Sequence, residues 1–109
     1  MTRQPLATVS DVRRPVQREK PILLFFYSER SGRCRRAEGF LAQVLQRRRN
    51  HETFRIRRVA EEQRADLLER FGVERVPTFL VVDGKVVRGK LTEPRGCEEI
   101  QTFLAPWLK

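Results

Sequence analysis

The sequence predicts an α/β domain with a mixed central sheet and helices on both of its faces. Three observations support this fold class. Residues 22–27 form an apolar run of strand length, the residues after them switch to helical spacing, and an Asp-Gly pair at residues 83–84 joins two further strand-like runs. The length of 109 residues, with no internal repeat or linker, predicts one domain spanning residues 1–109.

The first elements are predicted as a strand, a short helix and a second strand. Residues 6–9 are a short strand candidate, and Ser10 can cap a helix over residues 11–19 that Pro15 weakens. Residues 22–27 are continuously apolar, which is typical of a strand buried on both faces of a mostly parallel sheet.

The segment after this strand predicts a helix with Ser31 as its N-cap. The arginines at residues 47–49 would complement the negative end of the helix dipole, and Gly39 indicates a bend or a close contact. The apolar residues at helical spacing are Cys34, Ala37, Leu41, Val44 and Leu45.

The second half of the chain predicts a strand, a helix, a hairpin and a closing helix. Residues 54–59 alternate as in a strand, and residues 61–71 form an amphipathic helix that ends at Gly72. Strands at 76–82 and 85–91 meet at the Asp-Gly turn, and a last helix follows Pro94 with Trp107 as an anchor. The residues of the second helix expected to point inward are Ala65, Leu67, Leu68 and Phe71.

Composition limits the function classes. The net charge of +9 would attract nucleic acid or acidic partners, but the 19 arginines are spread along the chain among 14 acids, which does not favour a nucleic-acid surface. No run approaches the ~20 apolar residues of a membrane span, and the first residues lack a signal-like region, so we expect a cytoplasmic protein without membrane contact. One histidine and two distant cysteines predict no metal and no cofactor.

The segment RFGVERVPTFLVVDGKVV, together with the apolar strand and the motif that opens the first long helix, resembles the thioredoxins. The resemblance covers nearly the whole chain and implies the thioredoxin fold, with a central mixed sheet of about five strands. It also implies that Pro77 is the cis-proline beside the active site. Thioredoxins hold an extended peptide there through the backbone of the preceding residue, which is Val76 here.

The motif itself departs from the family. Thioredoxins carry Trp-Cys-Gly-Pro-Cys, whereas this chain has Arg30, Ser31, Gly32, Arg33 and Cys34. In the family the first cysteine is the nucleophile and the second resolves the mixed disulfide. Because a serine hydroxyl without an adjacent base does not ionise at neutral pH and forms no disulfide, we expect ordinary dithiol exchange to be absent.

Two further positions depart from the family in the same direction. Phe25 stands where thioredoxins carry a buried aspartate that handles the proton of the resolving thiol, and Arg58 matches a family lysine. A guanidinium stays protonated and cannot act as a base. The resemblance therefore implies that the proton-handling groups are missing as well.

Three functions stay open. The first is a protein-binding or chaperone-like module whose arginines favour an acidic protein or peptide. The second is a monothiol or glutathione-linked redox activity, within cell redox homeostasis, that uses the Cys34 thiol and the Ser31 hydroxyl. The third is nucleic-acid binding through the net charge. We expect Cys97 not to pair with Cys34 and His51 to lie in a loop. The first function would use a surface that we name the peptide groove, formed by Arg30, Gly32, Arg33, Val76, Pro77 and Thr78.

Overall fold

The structure is a computed structural model that describes residues 20–108. The predicted strand at 6–9 and helix at 11–19 lie outside these residues, and the sheet within them has four strands rather than about five. No helix of the described part is long and apolar enough to cross a membrane. The elements in chain order are β1 (Ile22–Tyr27), α1 (Gly32–Gln46), a 3-10 segment (Arg47–Glu52), β2 (Arg55–Ala60), α2 (Ala65–Arg70), β3 (Thr78–Asp83), β4 (Val86–Thr92) and α3 (Cys97–Leu104).

The sheet is mixed, as predicted, with the strand order β2-β1-β3-β4. β1 pairs parallel to β2 and antiparallel to β3, and β4 pairs antiparallel to β3. The central position of β1 explains its unbroken apolar sequence, since side chains on both of its faces are buried. One face packs against α1 and α3, and the other packs against the apolar side of α2.

The long helix agrees with its prediction except at two places. All five of its predicted apolar positions are buried. Of the bend or close contact predicted at Gly39, the close contact is not found, because an added Cβ would meet no atom of the described part within 4 Å beyond its own stretch of helix. After α1 the chain continues in the 3-10 segment, where Arg48 and Arg49 adopt positive φ angles and where His51 lies, rather than in the predicted loop.

The second helix is shorter than the predicted 61–71. The amides of Gln63 and Arg64 both donate to the Ala60 carbonyl at 3.0 and 2.9 Å, so the residues before Ala65 form a separate turn. The prediction that Ala65 points inward is therefore wrong, because it lies exposed in the first turn of α2. Gly72 ends the helix as predicted, with a φ of 67°. The other predicted inward residues pack on the second core cluster, and they are Leu67, Leu68 and Phe71.

The hairpin turn lies one residue later than predicted. Asp83 still pairs with Val86 at the end of β3, and the turn is made by Gly84 and Lys85, with φ angles of 62° and 66°. Two consecutive positive φ angles are the mark of the tight turn that matches strand twist. The Trp107 indole donates to the Asp83 carboxylate at 3.1 Å, and Trp107 packs against the core, so its predicted role as an anchor is confirmed.

Candidate functional site

The motif lies where β1 leads into the first turn of α1. Ser31 has an extended backbone, with φ −106° and ψ 119°, and its hydroxyl oxygen accepts the amide hydrogen of Cys34 at 3.2 Å. The predicted N-cap is therefore confirmed, and it uses the hydroxyl that stands at the nucleophile position of the motif. Arg30, Gly32 and Arg33 are exposed around it.

Cys34 is buried, with 2% of its surface exposed. Its sulfur accepts the amide hydrogen of Ser28 at 3.3 Å, and no carboxylate bonds to it within residues 20–108. Both cysteines are free, and the Cys97 thiol donates to the Gln43 side chain at 2.9 Å. A buried thiol of this kind normally packs rather than reacts.

The interior side of Cys34 is filled by aromatic and paired groups. Phe25 is fully buried and stacks on Phe79 and Tyr27, with ring centroids 4.9 and 5.5 Å apart. The Arg58 guanidinium pairs with Glu38 at 3.0 Å and lies 4.7 Å from the centre of the Tyr27 ring. A cleft of about 300 Å³ lies on this side, and we name it the Cys34 cleft. Its lining includes Phe25, Tyr27, Cys34, Arg35, Glu38 and Arg58.

The opposite side of the motif is formed by the loop before β3. The bond between Val76 and Pro77 is cis, as the resemblance implied. Thr78 is buried and donates its hydroxyl to the Arg75 carbonyl at 2.6 Å, which holds the loop against β3. Within residues 20–108, neither the amide nor the carbonyl of Val76 makes a hydrogen bond, although backbone polar groups are normally paired.

The arginines around the motif have different surroundings. Arg33 pairs with Glu93 at 2.8 Å, whereas the side chains of Arg30, Arg35 and Arg36 make no ion pair within the described part. Arg33 also borders a second cleft, of about 520 Å³, which we name the arginine cleft. Its walls are Arg33, Arg36, Phe40, Thr92, Glu93, Pro94, Arg95 and Glu99.

Two residues of this region were missed by the sequence analysis. Glu93 accepts hydrogen bonds from Arg33 and, at 3.4 Å, from Arg75. Glu93 lies 60 positions from Arg33 and Arg75 precedes Val76, and neither belongs to a motif that marks it. Only the folded chain brings Glu93 and Arg75 together at the groove.

Ser28 and Glu29, in the loop that leads from β1 into the motif, both bond to one carboxylate. The Ser28 hydroxyl donates to the Glu62 carboxylate at 2.5 Å, and the Glu29 amide donates to the same group at 3.3 Å. The hydrogen bond from Ser28 is the main cause that lowers the pKa of Glu62, despite its exposure to water. In residues 20–108 no three metal-ligating side chains lie close enough together to bind an ion.

Comparisons with known proteins agree with this architecture. The sequence model of the thioredoxin family matches residues 6–106. Trxlp from Edwardsiella tarda EIB202 superposes with a TM-score of 0.70 at 18% identity, covering 78% of this chain and 82% of that chain. The germline-specific thioredoxin Deadhead from Drosophila melanogaster gives a TM-score of 0.70 at 18% identity, covering 82% of each chain. Mitochondrial thioredoxin 3 from Saccharomyces cerevisiae, in its oxidized form, gives 0.68 at 16% identity, covering 80% of this chain and 78% of that chain.

No curated protein sequence matches the chain. At these low identities the structural likenesses show the fold alone, and the predicted thioredoxin fold is confirmed on its described residues.

Proposed function

The chain belongs to the thioredoxin family, and on this premise we propose that it binds extended protein or peptide segments in the peptide groove without dithiol exchange. Its role would be that of a cytoplasmic protein-binding or chaperone-like module. The groove keeps the backbone that holds a peptide in the family, whereas the residue that attacks disulfides is a serine.

The free peptide groups of Val76 carry this proposal. An extended segment can add to an exposed backbone by exchanging hydrogen bonds with one residue, and Val76 has both a donor and an acceptor without a partner in residues 20–108. The Thr78 hydroxyl holds this loop through the Arg75 carbonyl, and the side chains of Arg75 and of Arg33 in the first turn of α1 both contact Glu93. A bound segment would satisfy the two unpaired groups, which supplies affinity without a covalent step.

The contacts of Ser31 and Cys34 support the absence of exchange. The Ser31 hydroxyl is used as a helix cap, and the Cys34 sulfur is buried and hydrogen-bonded to the Ser28 amide. Burial keeps the Cys34 sulfur away from the surface, where an attacking thiolate must reach a disulfide.

The proposal can be tested with a labelled, cysteine-free extended peptide in a fluorescence anisotropy titration. Methylating one peptide nitrogen removes one donor, so N-methylation at the residue opposite Val76 should weaken binding about tenfold or more, as the loss of a buried hydrogen bond does. Methylation at the next residue, whose amide faces water, is the matched control. Equal binding of the two methylated peptides would contradict the proposal, as would insulin reduction at the rate of a thioredoxin.

A monothiol or glutathione-linked activity is the second candidate, favoured by the position of Cys34 on the wall of the Cys34 cleft beside Arg35. Such an activity needs the Cys34 thiolate to attack a glutathionylated substrate, which forms the Cys34–glutathione disulfide and releases the substrate thiol. A second glutathione thiolate then attacks this disulfide, which releases Cys34 and glutathione disulfide. It should be lost in Cys34→Ser and reduced in Ser31→Ala. Retention of glutathione-dependent turnover in Cys34→Ser would remove this candidate.

A further inference from the structure

Glu93 links the first turn of α1 to the loop before Pro77. One carboxylate oxygen contacts the Arg33 guanidinium at 2.8 Å, and the other contacts Arg75 at 3.4 Å. Arg33 belongs to the first turn of α1, and Arg75 belongs to the loop that presents Val76. We name this three-residue arrangement the Glu93 bridge.

The backbone fixes the position of the Glu93 carboxylate. The Glu93 amide donates to the Pro77 carbonyl at 2.7 Å, which ties the end of β4 to the cis-proline segment. Glu93 has a φ of 51°, in the left-handed region that side chains other than glycine seldom adopt. Such conformations persist where the surrounding contacts hold them, and they are common at ligand-binding segments.

The surroundings of the bridge carry an excess of positive charge. Arg36 and Arg95 line the arginine cleft next to Arg33, and their guanidiniums make no ion pair within residues 20–108. Glu99, the other carboxylate of this cleft, accepts the backbone amide of Arg95 rather than a guanidinium. The arginines at this end of the groove are therefore incompletely neutralised by the chain itself.

Resting on the proposed function, we propose that Arg33 and Arg75 anchor an acidic side chain of the bound segment and that Glu93 is its intramolecular competitor. A segment with a suitably placed Asp or Glu displaces the Glu93 carboxylate from the two guanidiniums. A neutral segment leaves the bridge closed and binds through the Val76 backbone alone. The two arginines thereby favour acidic segments, and competition from Glu93 limits how strong this preference is.

The exposure of the bridge makes this displacement feasible. The side chains of Arg33 and Arg75 are 62% and 74% exposed, and that of Glu93 is 27% exposed. Ion pairs with such open arginines are weak in water, so an incoming carboxylate can replace the internal one. Carboxylates pair with guanidiniums in the same geometry whichever chain supplies them, which favours an acidic peptide as the ligand.

The test uses two labelled, cysteine-free peptides that differ only in a central Glu pair replaced by Gln. In the unmodified protein the Glu peptide should bind more tightly. Glu93→Gln should raise the affinity for the Glu peptide a further three- to fivefold, roughly the strength of an exposed ion pair, and leave the Gln peptide unchanged. Glu98→Gln is the matched control, because it removes the same charge from an exposed residue outside the arginine cleft. Arg75→Gln should reduce the preference between the peptides, and Arg75→Gln combined with Arg33→Gln should abolish it.

Equal gains in affinity for the Glu peptide in the Glu93→Gln and Glu98→Gln proteins would overturn the inference, since the effect would then come from net charge. A preference for the Glu peptide that survives the combined Arg33→Gln and Arg75→Gln change would also overturn it. So would a labelled oligothymidylate whose affinity rises as much on Glu93→Gln. If both peptides bind equally well, the inference fails and the proposed function stands. If neither binds, the proposed function fails and the inference falls with it.

Discussion

The two sides of Cys34 differ in the groups that they present. On the interior side, Phe25 belongs to an aromatic stack at a position where the resemblance to thioredoxins implies a carboxylate, and Arg58 is held by Glu38 and Tyr27. On the groove side, the bond before Pro77 is cis, and the peptide groups of Val76 make no hydrogen bond within residues 20–108.

Under the proposed function, exchange chemistry and peptide docking depend on different parts of the same site. Exchange needs a particular thiol and proton-handling side chains, so a few substitutions remove it. Docking through hydrogen bonds needs only a correctly shaped backbone, which the sheet and the buried Thr78 maintain.

The largest expected effect comes from returning a carboxylate to the interior side. Phe25→Asp should lower the free energy of unfolding by about 4 kcal/mol or more, because it removes a fully buried ring and buries a charge without a partner. Urea denaturation measures the change. Val86→Asp, at a residue 49% exposed in β4, should cost about 1 kcal/mol or less.

Similar losses at residues 25 and 86 would show that the interior side is not closed around its aromatic stack. The predicted contrast would then have no basis in packing.

A thiol placed at residue 31 should recover only a small part of the disulfide-exchange activity of a thioredoxin. Ser31→Cys should allow a disulfide with Cys34 and measurable insulin reduction, roughly a hundredfold slower than in a thioredoxin, because the acid–base groups are still absent. The same change combined with Cys34→Ser should be inactive. Turnover at the full rate of a thioredoxin would show that Phe25 and Arg58 do not limit exchange.

Removing the helix cap should have a moderate effect on stability. Ser31→Ala should lower the free energy of unfolding by about 1 kcal/mol, since the Cys34 amide loses its acceptor. Ser31→Asp keeps an acceptor and places a negative charge at the positive end of the helix dipole, so it should be close to the unmodified protein. An alanine variant as stable as the aspartate variant would mean that the hydroxyl does not serve as a cap.

The smallest expected effect is a change in the pKa of Glu62, which bonds to the loop that leads from β1 into the motif. Ser28→Ala should raise the pKa of Glu62 toward its ordinary value, because the main hydrogen bond to its carboxylate is lost. Since the folded pKa is lowered, this contact stabilises the protein above the unfolded pKa, and its contribution is lost as the pH falls through the folded pKa. An NMR titration of the Glu62 side chain checks the direction, and an unchanged pKa would contradict it.

The sequence predicted the elements whose pattern depends on local contacts. β1 and α1 agree with their predictions, because a continuous apolar run and an apolar repeat at helical spacing each reflect burial along one element. The tight turn lies one residue later than predicted. The sequence predicted a turn at Asp83 and Gly84, whereas the two residues with positive φ angles are Gly84 and Lys85. The length of α2 was overestimated, because the residues of the turn before Ala65 have the same polar composition as the start of a helix.

The motif side of the candidate site was predicted more fully than the groove side. Ser31 could be assigned as a cap and Cys34 as a buried thiol from their places at the start of a helix. The Glu93 bridge could not be predicted, because it depends on a contact across 60 positions and on a left-handed backbone at a residue that is not glycine.

The hydrogen-exchange rate of the Val76 amide is the most direct measure of peptide docking without exchange chemistry. NMR would record it with and without a saturating cysteine-free peptide, on protein whose Cys34 thiol stays reduced throughout. We predict that the peptide slows exchange at Val76 about tenfold or more, since the amide gains a hydrogen-bond partner. An unchanged rate at full saturation would contradict the account, because the peptide would then be bound elsewhere.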